Sequence, residues 1–332
     1  MLRRTFWLCV SACCVAACLL PVSAQEKKPG NWSALNEKDA GPDFQIQGEY
    51  SGELGEGNEK IKFGIQIIAL GEGKFRAVAY HGGLPGDGWN REEKIETDGQ
   101  VEGGVLRFVQ PEKGSAELKD GKLAIFNKDK VAVGELSKVL RKSETIGKPA
   151  PADAIVLFDG KTADQFTNGR IEDGLLVQGI TSKQKFDSFS LHLEFMLSFM
   201  PHARGQGRAN SGCYMQGRYE TQILDSFGLE GKDNECGGIY TIKSPSQNMC
   251  FPPLSWQTYD IEYTAAKYEG DKKIANARMT VLHNGVKIHD NVELPKGTTA
   301  APVKEGPESG PIYIQDHGNP IRFRNIWLVP TK

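Results

Sequence analysis

The chain has 332 residues, 25% of them charged and 39% hydrophobic, with 40 Lys and Arg against 42 Asp and Glu and a formal net charge of −2. This balance, with no long basic stretch and no aromatics interleaved among Lys and Arg, excludes an electrostatic nucleic-acid binder. A small, neutral or weakly charged partner fits it better.

Residues 1–24 read as an export signal: Arg3 and Arg4 precede an apolar run over residues 6–20, and Val22, Ser23 and Ala24 give the small-residue cleavage pattern. The run is shorter than the roughly 20 apolar residues that span a bilayer, so no membrane span is expected. The mature protein is expected to be periplasmic or extracellular. A lipoprotein-type cut after Val15, Ala16 and Ala17, which would leave a lipid anchor on Cys18, is the less favoured alternative. Four of the seven cysteines fall inside the signal. An oxidising compartment permits disulfides, and Cys236 and Cys250, which bracket a Gly- and Pro-containing loop, are the candidate pair. Cys213 reads as a small buried hydrophobe.

Residues 25–43 are polar and read as a flexible lead-in. Between residues 44 and 140, alternating runs at 44–50, 62–70, 75–80, 105–109, 122–126 and 130–136 are separated by Gly-rich turns and predict a small all-β domain, to which the sequence assigns no role. The glycine-dense stretch 81–89 has no helical period after it, so it reads as a surface loop with Trp89 packing back on the sheet rather than as a phosphate cradle. Residues 141–154, with Pro149 and Pro151 among small residues, read as an extended Pro/Ala linker. From residue 155 to 332 the chain offers many short strand-type segments, two of them joined by Asn284-Gly285, a strong hairpin signal. The fold class is therefore all-β, with a two-sheet sandwich or jelly roll following the smaller domain.

Residues 210–225, NSGCYMQGRYETQILD, mix polar and core-type residues at strand spacing. Alternation sets Tyr214 and Gln216 on one face of a first strand and Glu220 and Gln222 on one face of a second, with Arg218 at the turn between. A phenol, amides, a guanidinium and a carboxylate then converge on one patch. On spacing alone an ordinary solvated sheet face is the favoured reading, since polar faces greatly outnumber sites.

Four stretches stand in order along the second half: 157–160 (LFDG), 210–226, 253–260 (PLSWQTYD), and 310–318 (GPIYIQDHG) followed by 323–326 (FRNI). Through them residues 155–330 resemble the 3-keto-disaccharide hydrolase family. The resemblance implies a concanavalin-like jelly roll that cleaves 3-keto-glycosides by hydrolysis or by elimination and hydration. On that reading Glu220 and His317 are the candidate base and acid, and Arg218 steadies an enolate. Asn210, Tyr214, Gln216, Gln222, Asp225, Trp256 and Gln315 are candidates to hold the sugar. Glucanases of this architecture carry Glu-x-Asp-x-x-Glu, whereas this chain has Glu220-x-Gln222-x-x-Asp225, which weakens a two-carboxylate retaining mechanism. A lectin-like binder and a conventional glycosidase using Glu220 and Asp225 are the alternatives. No organic cofactor is expected. A divalent metal stays open, since His192 and Glu194 share a strand face and could join Glu220, but they are too few to assert one. A separate sugar oxidoreductase would be needed to make the ketone.

Overall fold

The structure, a computed structural model, describes residues 30–55 and 59–331. The expected export signal and Cys18 lie outside the described residues.

The described part of the lead-in is ordered instead of flexible. Ala34 exchanges backbone hydrogen bonds of 3.0 and 2.9 Å with Phe199. The Asn36 side chain caps the short helix Glu37–Ala40 by accepting from the Asp39 N–H, and Pro42 opens a second helix, Pro42–Ile46. Phe44, expected in a strand, sits in that helix with its ring edge-on to Phe199 at 5.4 Å. A capping Asn and a Pro at a first helical position outweigh a short apolar alternation.

Eight consecutive antiparallel strands then close into a barrel: Gly48–Leu54, Ile61–Gly71, Lys74–His81, Ile95–Glu102, Val105–Gln110, Gly114–Lys119, Lys122–Phe126 and Ala132–Val139. The first and last pair along six residues, which seals the barrel. Strand spacing missed Ile95–Glu102 and Gly114–Lys119, because their outward positions are charged or polar and their inward positions include Thr97, Gly99 and Gly114.

The remaining strands, apart from a separate two-stranded ladder of Lys267–Glu269 and Lys272–Ala275, form a sandwich. One sheet has five strands in the order Phe166–Thr167, Ile180–Phe186, Gly310–Ile314, Asn210–Met215 and Tyr219–Leu224. The facing sheet runs Ile171–Glu172, Leu175–Val177, Ile321–Thr331, Ser188–Leu197, Trp256–Thr264, Ala277–His283 and Val286–Leu294, with Ile155–Phe158 also paired to Ile321–Thr331. Asn284, in the left-handed region at φ 53°, and Gly285 make the expected hairpin turn. The all-β jelly-roll class read from the sequence is the class observed. Among the described residues no helix is long and apolar enough to cross a membrane.

The barrel and the sandwich share a packed boundary. On the second and third barrel strands, Ile68, Val78 and Tyr80 point away from the barrel interior and, with Leu84, belong to the sandwich core. Trp89 folds back edge-on to Tyr80 at 5.3 Å, as its loop suggested. Beside them Glu49, 1% exposed, accepts from both Nε and Nη2 of Arg141, at 2.7 and 2.5 Å, and from the Gln66 amide at 2.9 Å. Arg141 also donates to the Pro85 carbonyl at 2.7 Å and lies over the Phe251 ring.

The segment read as an extended linker is pinned to the sandwich. Ser143 and Thr145 hydrogen-bond Thr258 at 2.5 and 2.8 Å, Thr145 donates to Asp260 at 2.6 Å, and the Gly147 N–H donates to Glu194 at 2.6 Å. Prolines keep this segment extended, but its hydroxyls and N–H groups answer polar side chains on the outer face of the larger sheet.

Candidate active site

The smaller sheet carries a row of directly opposed residues across four strands: Thr181 faces Tyr313, Tyr313 faces Tyr214, and Tyr214 faces Glu220. Directly opposed residues point to the same side of a sheet. Cys213, Met215, Tyr219 and Ile223, the residues between, enter the sandwich core on the other side. Burial pushes the Cys213 thiol up to about 12, in keeping with its reading as a small hydrophobe. The alternation seen in the sequence thus separates core from site over 210–215 and 219–224.

Glu220 is the centre of this row. It is 2% exposed, and its Oε2 accepts from the Tyr214 hydroxyl at 2.7 Å. Burial raises its pKa from 4.5 to about 7, with the Tyr214 hydrogen bond opposing only in part. Burial and the neighbouring Glu220 carboxyl in turn hold the Tyr214 phenol far above its ordinary value, so it stays a proton donor. The Tyr313 ring lies 5.2 Å from that of Tyr214 and is partly exposed. It lines an open cleft of about 510 Å³ with Arg170, Thr181 and Asp316.

Neutral amides flank the pair. Gln315 donates to the Tyr214 hydroxyl at 3.3 Å. Gln206, in the turn Gly205–Gly207, accepts from Asn210 at 3.0 Å and from Gln222 at 3.3 Å. Asn210 is 1% exposed, yet its Oδ1 has no partner, which leaves one buried acceptor for a ligand donor. Gly212 supplies room: a Cβ built there would stand 2.1 Å from Glu220 Oε1. Gly212→Ala should therefore displace the carboxylate and depress activity at least tenfold with little loss of melting temperature. Parallel activity and melting measurements on that variant test this.

Several expected site residues lie elsewhere. Gln216 adopts φ 54° at the hairpin, which breaks the alternation and turns its side chain toward the other sheet. There its Oε1 accepts from Tyr263 at 2.8 Å and from Arg218 at 2.9 Å, and its amide donates to the Phe186 carbonyl at 2.9 Å. Arg218 is thereby committed to Gln216 and to the Lys304 carbonyl at 2.9 Å, not to Glu220. Asp225, 1% exposed, receives Arg208 Nη1 at 3.0 Å and the Phe227 N–H at 3.3 Å, and Arg208 reaches on to the barrel carbonyl of Ala69 at 2.9 Å. This carboxyl braces the fold and is not a partner acid for Glu220. Trp256 belongs to the larger sheet, under the Arg324 guanidinium at 3.9 Å. His317 is exposed in the turn after Ile314, and no hydrogen bond brings it to Glu220.

His192 and Glu194 do share a face, but it is the outer face of the larger sheet, away from Glu220. His192 Nδ1 meets Asp260 at 2.9 Å, and Arg324 and Asn325 donate to Glu194 at 2.6 and 2.9 Å. Burial would lower the His192 pKa, but Asp260 and Glu194 outweigh it and hold it raised. Burial would raise that of Glu194, yet His192, Asn325 and Arg324 take it down to about 2. Among the described residues no group of three or more His, Cys, Asp or Glu side chains is arranged to hold a metal ion. The expected Cys236–Cys250 disulfide is not formed: both are buried free thiols. Cys236 meets the Tyr259 hydroxyl at 3.3 Å, and Cys250 points at the Leu224 and Phe251 carbonyls.

Three functional candidates escaped the sequence reading. Tyr313 sat in a segment already singled out, and its pairing with Tyr214 was the missing information. Gln206 and Arg170 lie in turns with no periodicity, so nothing local marked them.

Comparison with known proteins bears on the sandwich. Residues 153–329 match the model of the 3-keto-alpha-glucoside-1,2-lyase-like domain. A crystal structure from Parabacteroides distasonis, provisionally named a glycosyl hydrolase, is 32% identical, covering 55% of this chain and 85% of its own with a TM-score of 0.50. A second structure from the same organism, named likewise, is 18% identical, covering 54% of this chain and 94% of its own with a TM-score of 0.40. No curated protein matches the chain.

Proposed function

We propose, from the premise that this chain belongs to the 3-keto-alpha-glucoside-1,2-lyase-like domain family through residues 153–329, that it cleaves 3-keto-glycosides with Glu220 as the base. Family membership makes it a carbohydrate-active protein of hydrolase or lyase type. The observation that carries the finer reading is a buried carboxyl with a pKa near 7, hydrogen-bonded to a phenol, at the end of a polar row that leads to an open cleft.

A ketone at C3 of a sugar acidifies the hydrogen on C2. Glu220 as carboxylate removes that proton, and the electron pair passes into the C2–C3 bond as the ketone oxygen becomes an enolate. The enolate then re-forms the ketone and expels the glycosidic oxygen from C1, leaving a C1–C2 double bond. Addition of water, hydroxyl to C1 and proton to C2, completes a net hydrolysis. A base whose pKa sits near the working pH suits the first step. Arg170, on the cleft wall, is the cation available to the developing oxyanion, and the Tyr313 hydroxyl is open to the leaving group. A separate sugar oxidoreductase must supply the ketone.

The test compares a 3-keto-glucoside with its unoxidised parent in D₂O. Release from the keto substrate alone, with solvent deuterium entering at C2, is the expected result. Equal cleavage of both would overturn the proposal in favour of a conventional glycosidase, and saturable binding without turnover would favour a lectin.

A further inference from the structure

The barrel is packed at one end and hollow at the other. At the packed end Ile67, Phe75, Leu106, Leu123 and Leu136 fill the interior, and Trp32, Phe44, Ile46 and Phe199 close over them. At the opposite end the inward positions hold small residues, Ala77, Ala79, Gly114 and Ala116, and a cavity of about 220 Å³ opens there. An eight-stranded barrel is just wide enough to be filled by side chains or to hold one small ligand, so alanines at successive inward positions decide between the two. An engineered apolar cavity of roughly 150 Å³ already takes up benzene.

The lining defines the ligand. The apolar walls include Phe63, Ile65, Ala79, Phe108 and Ile125. The polar lining residues are His81, Thr97, Gln110, Ser115 and Asn127, with Lys113 the one Lys, Arg, Asp or Glu side chain among the lining residues. Lys113 Nζ stands 3.8 Å from Glu93, an exposed and loose contact that a ligand anion can replace. No carboxylate lines the cavity.

We infer that the open end of the barrel is a binding site for a small amphiphilic anion, a short aliphatic chain or single aromatic ring whose carboxylate head lies at Lys113. The site is separate from the sandwich chemistry. Its volume admits one such molecule and is below the range of roughly 300–1,000 Å³ usual for larger organic ligands.

Calorimetric titration of the full chain with octanoate should give one saturable site with a Kd on the order of 10⁻⁴ M, the affinity that burying one short chain supports. Octylammonium should bind at least tenfold more weakly. Ala79→Phe, which fills the cavity, should abolish octanoate binding, and Lys113→Glu, a change at a solvent-facing position, should reverse the preference between the two amphiphiles. Absence of saturable octanoate binding would overturn the inference. So would unchanged binding to Ala79→Phe, which would locate the ligand elsewhere, or equal affinity for the two head groups. If Ala79→Phe fails to fold, the Lys113→Glu reversal decides alone, and no reversal counts against the inference.

Discussion

Glu220→Gln is expected to lower turnover of a 3-keto-glycoside by 10²- to 10⁴-fold, the range that a positioned general base supplies. The same variant is expected to be more stable than the parent at pH 8. Burial raises the Glu220 pKa from 4.5 to about 7, so the folded protein holds this proton more tightly than the unfolded chain. The favourable contribution is complete below pH 4.5 and disappears as pH climbs through 7. A shift of that size corresponds to about 3 kcal/mol between the two protonation states. A neutral amide that still accepts from Tyr214 avoids that loss. Activity of the parent should rise with pH through an apparent pKa near 7, because the base must be ionised, while its stability falls over the same window. Denaturant unfolding at pH 5 and pH 8, run beside a pH–rate profile, checks both signs. A variant that keeps its activity, or is less stable at pH 8 than the parent, would remove Glu220 from the role assigned to it.

Arg141→Ala should cost about 3–5 kcal/mol, the range for breaking a buried ion pair. Glu49 is 1% exposed and is bound by Arg141 through two nitrogens, so truncation leaves a carboxylate at the barrel–sandwich boundary with only the Gln66 amide. The Pro85 carbonyl loses its donor and Phe251 its covering guanidinium. Removing both charges, in Glu49→Gln with Arg141→Met, should recover most of the loss, since the penalty comes from the stranded charge more than from the missing attraction. Chemical denaturation of the two variants against the parent measures the difference. A single variant within 1 kcal/mol of the parent would mean that water reaches Glu49.

The two-sheet fold was legible because strand alternation and one Asn-Gly turn are local signals. Half of the candidate site was legible for the same reason, since the placement of Tyr214, Glu220, Gln222 and Asn210 on one face follows from parity along 210–224. Parity failed at Gln216 and Arg218, where a left-handed residue turned the hairpin and Tyr263, from the other sheet, captured the amide. The pairing of Asp225 with Arg208 was not legible, because Arg208 lies in a loop without periodicity and binds the barrel as well. Trp256 belonged to a matching stretch of sequence, but nothing in that stretch says which of two sheets a strand joins. That the linker is pinned was not legible, because its prolines are a local signal, whereas the side chains that hold it, Thr258, Asp260 and Glu194, are more than 45 positions away.

The order of strands in the larger sheet has a consequence for synthesis. Ile321–Thr331 lies in the interior of that sheet, between Leu175–Val177 and Ser188–Leu197. The barrel needs only neighbouring hairpins and the pairing of its first and last strands, all within residues 48–139, and can close while the chain is still growing, but the sandwich must wait for a strand more than 120 residues beyond Ser188–Leu197. During that wait the finished barrel presents Ile68, Val78 and Tyr80 to solvent. They form a ready apolar template on which the later strands assemble, and for the same interval they are the surface most in need of a chaperone.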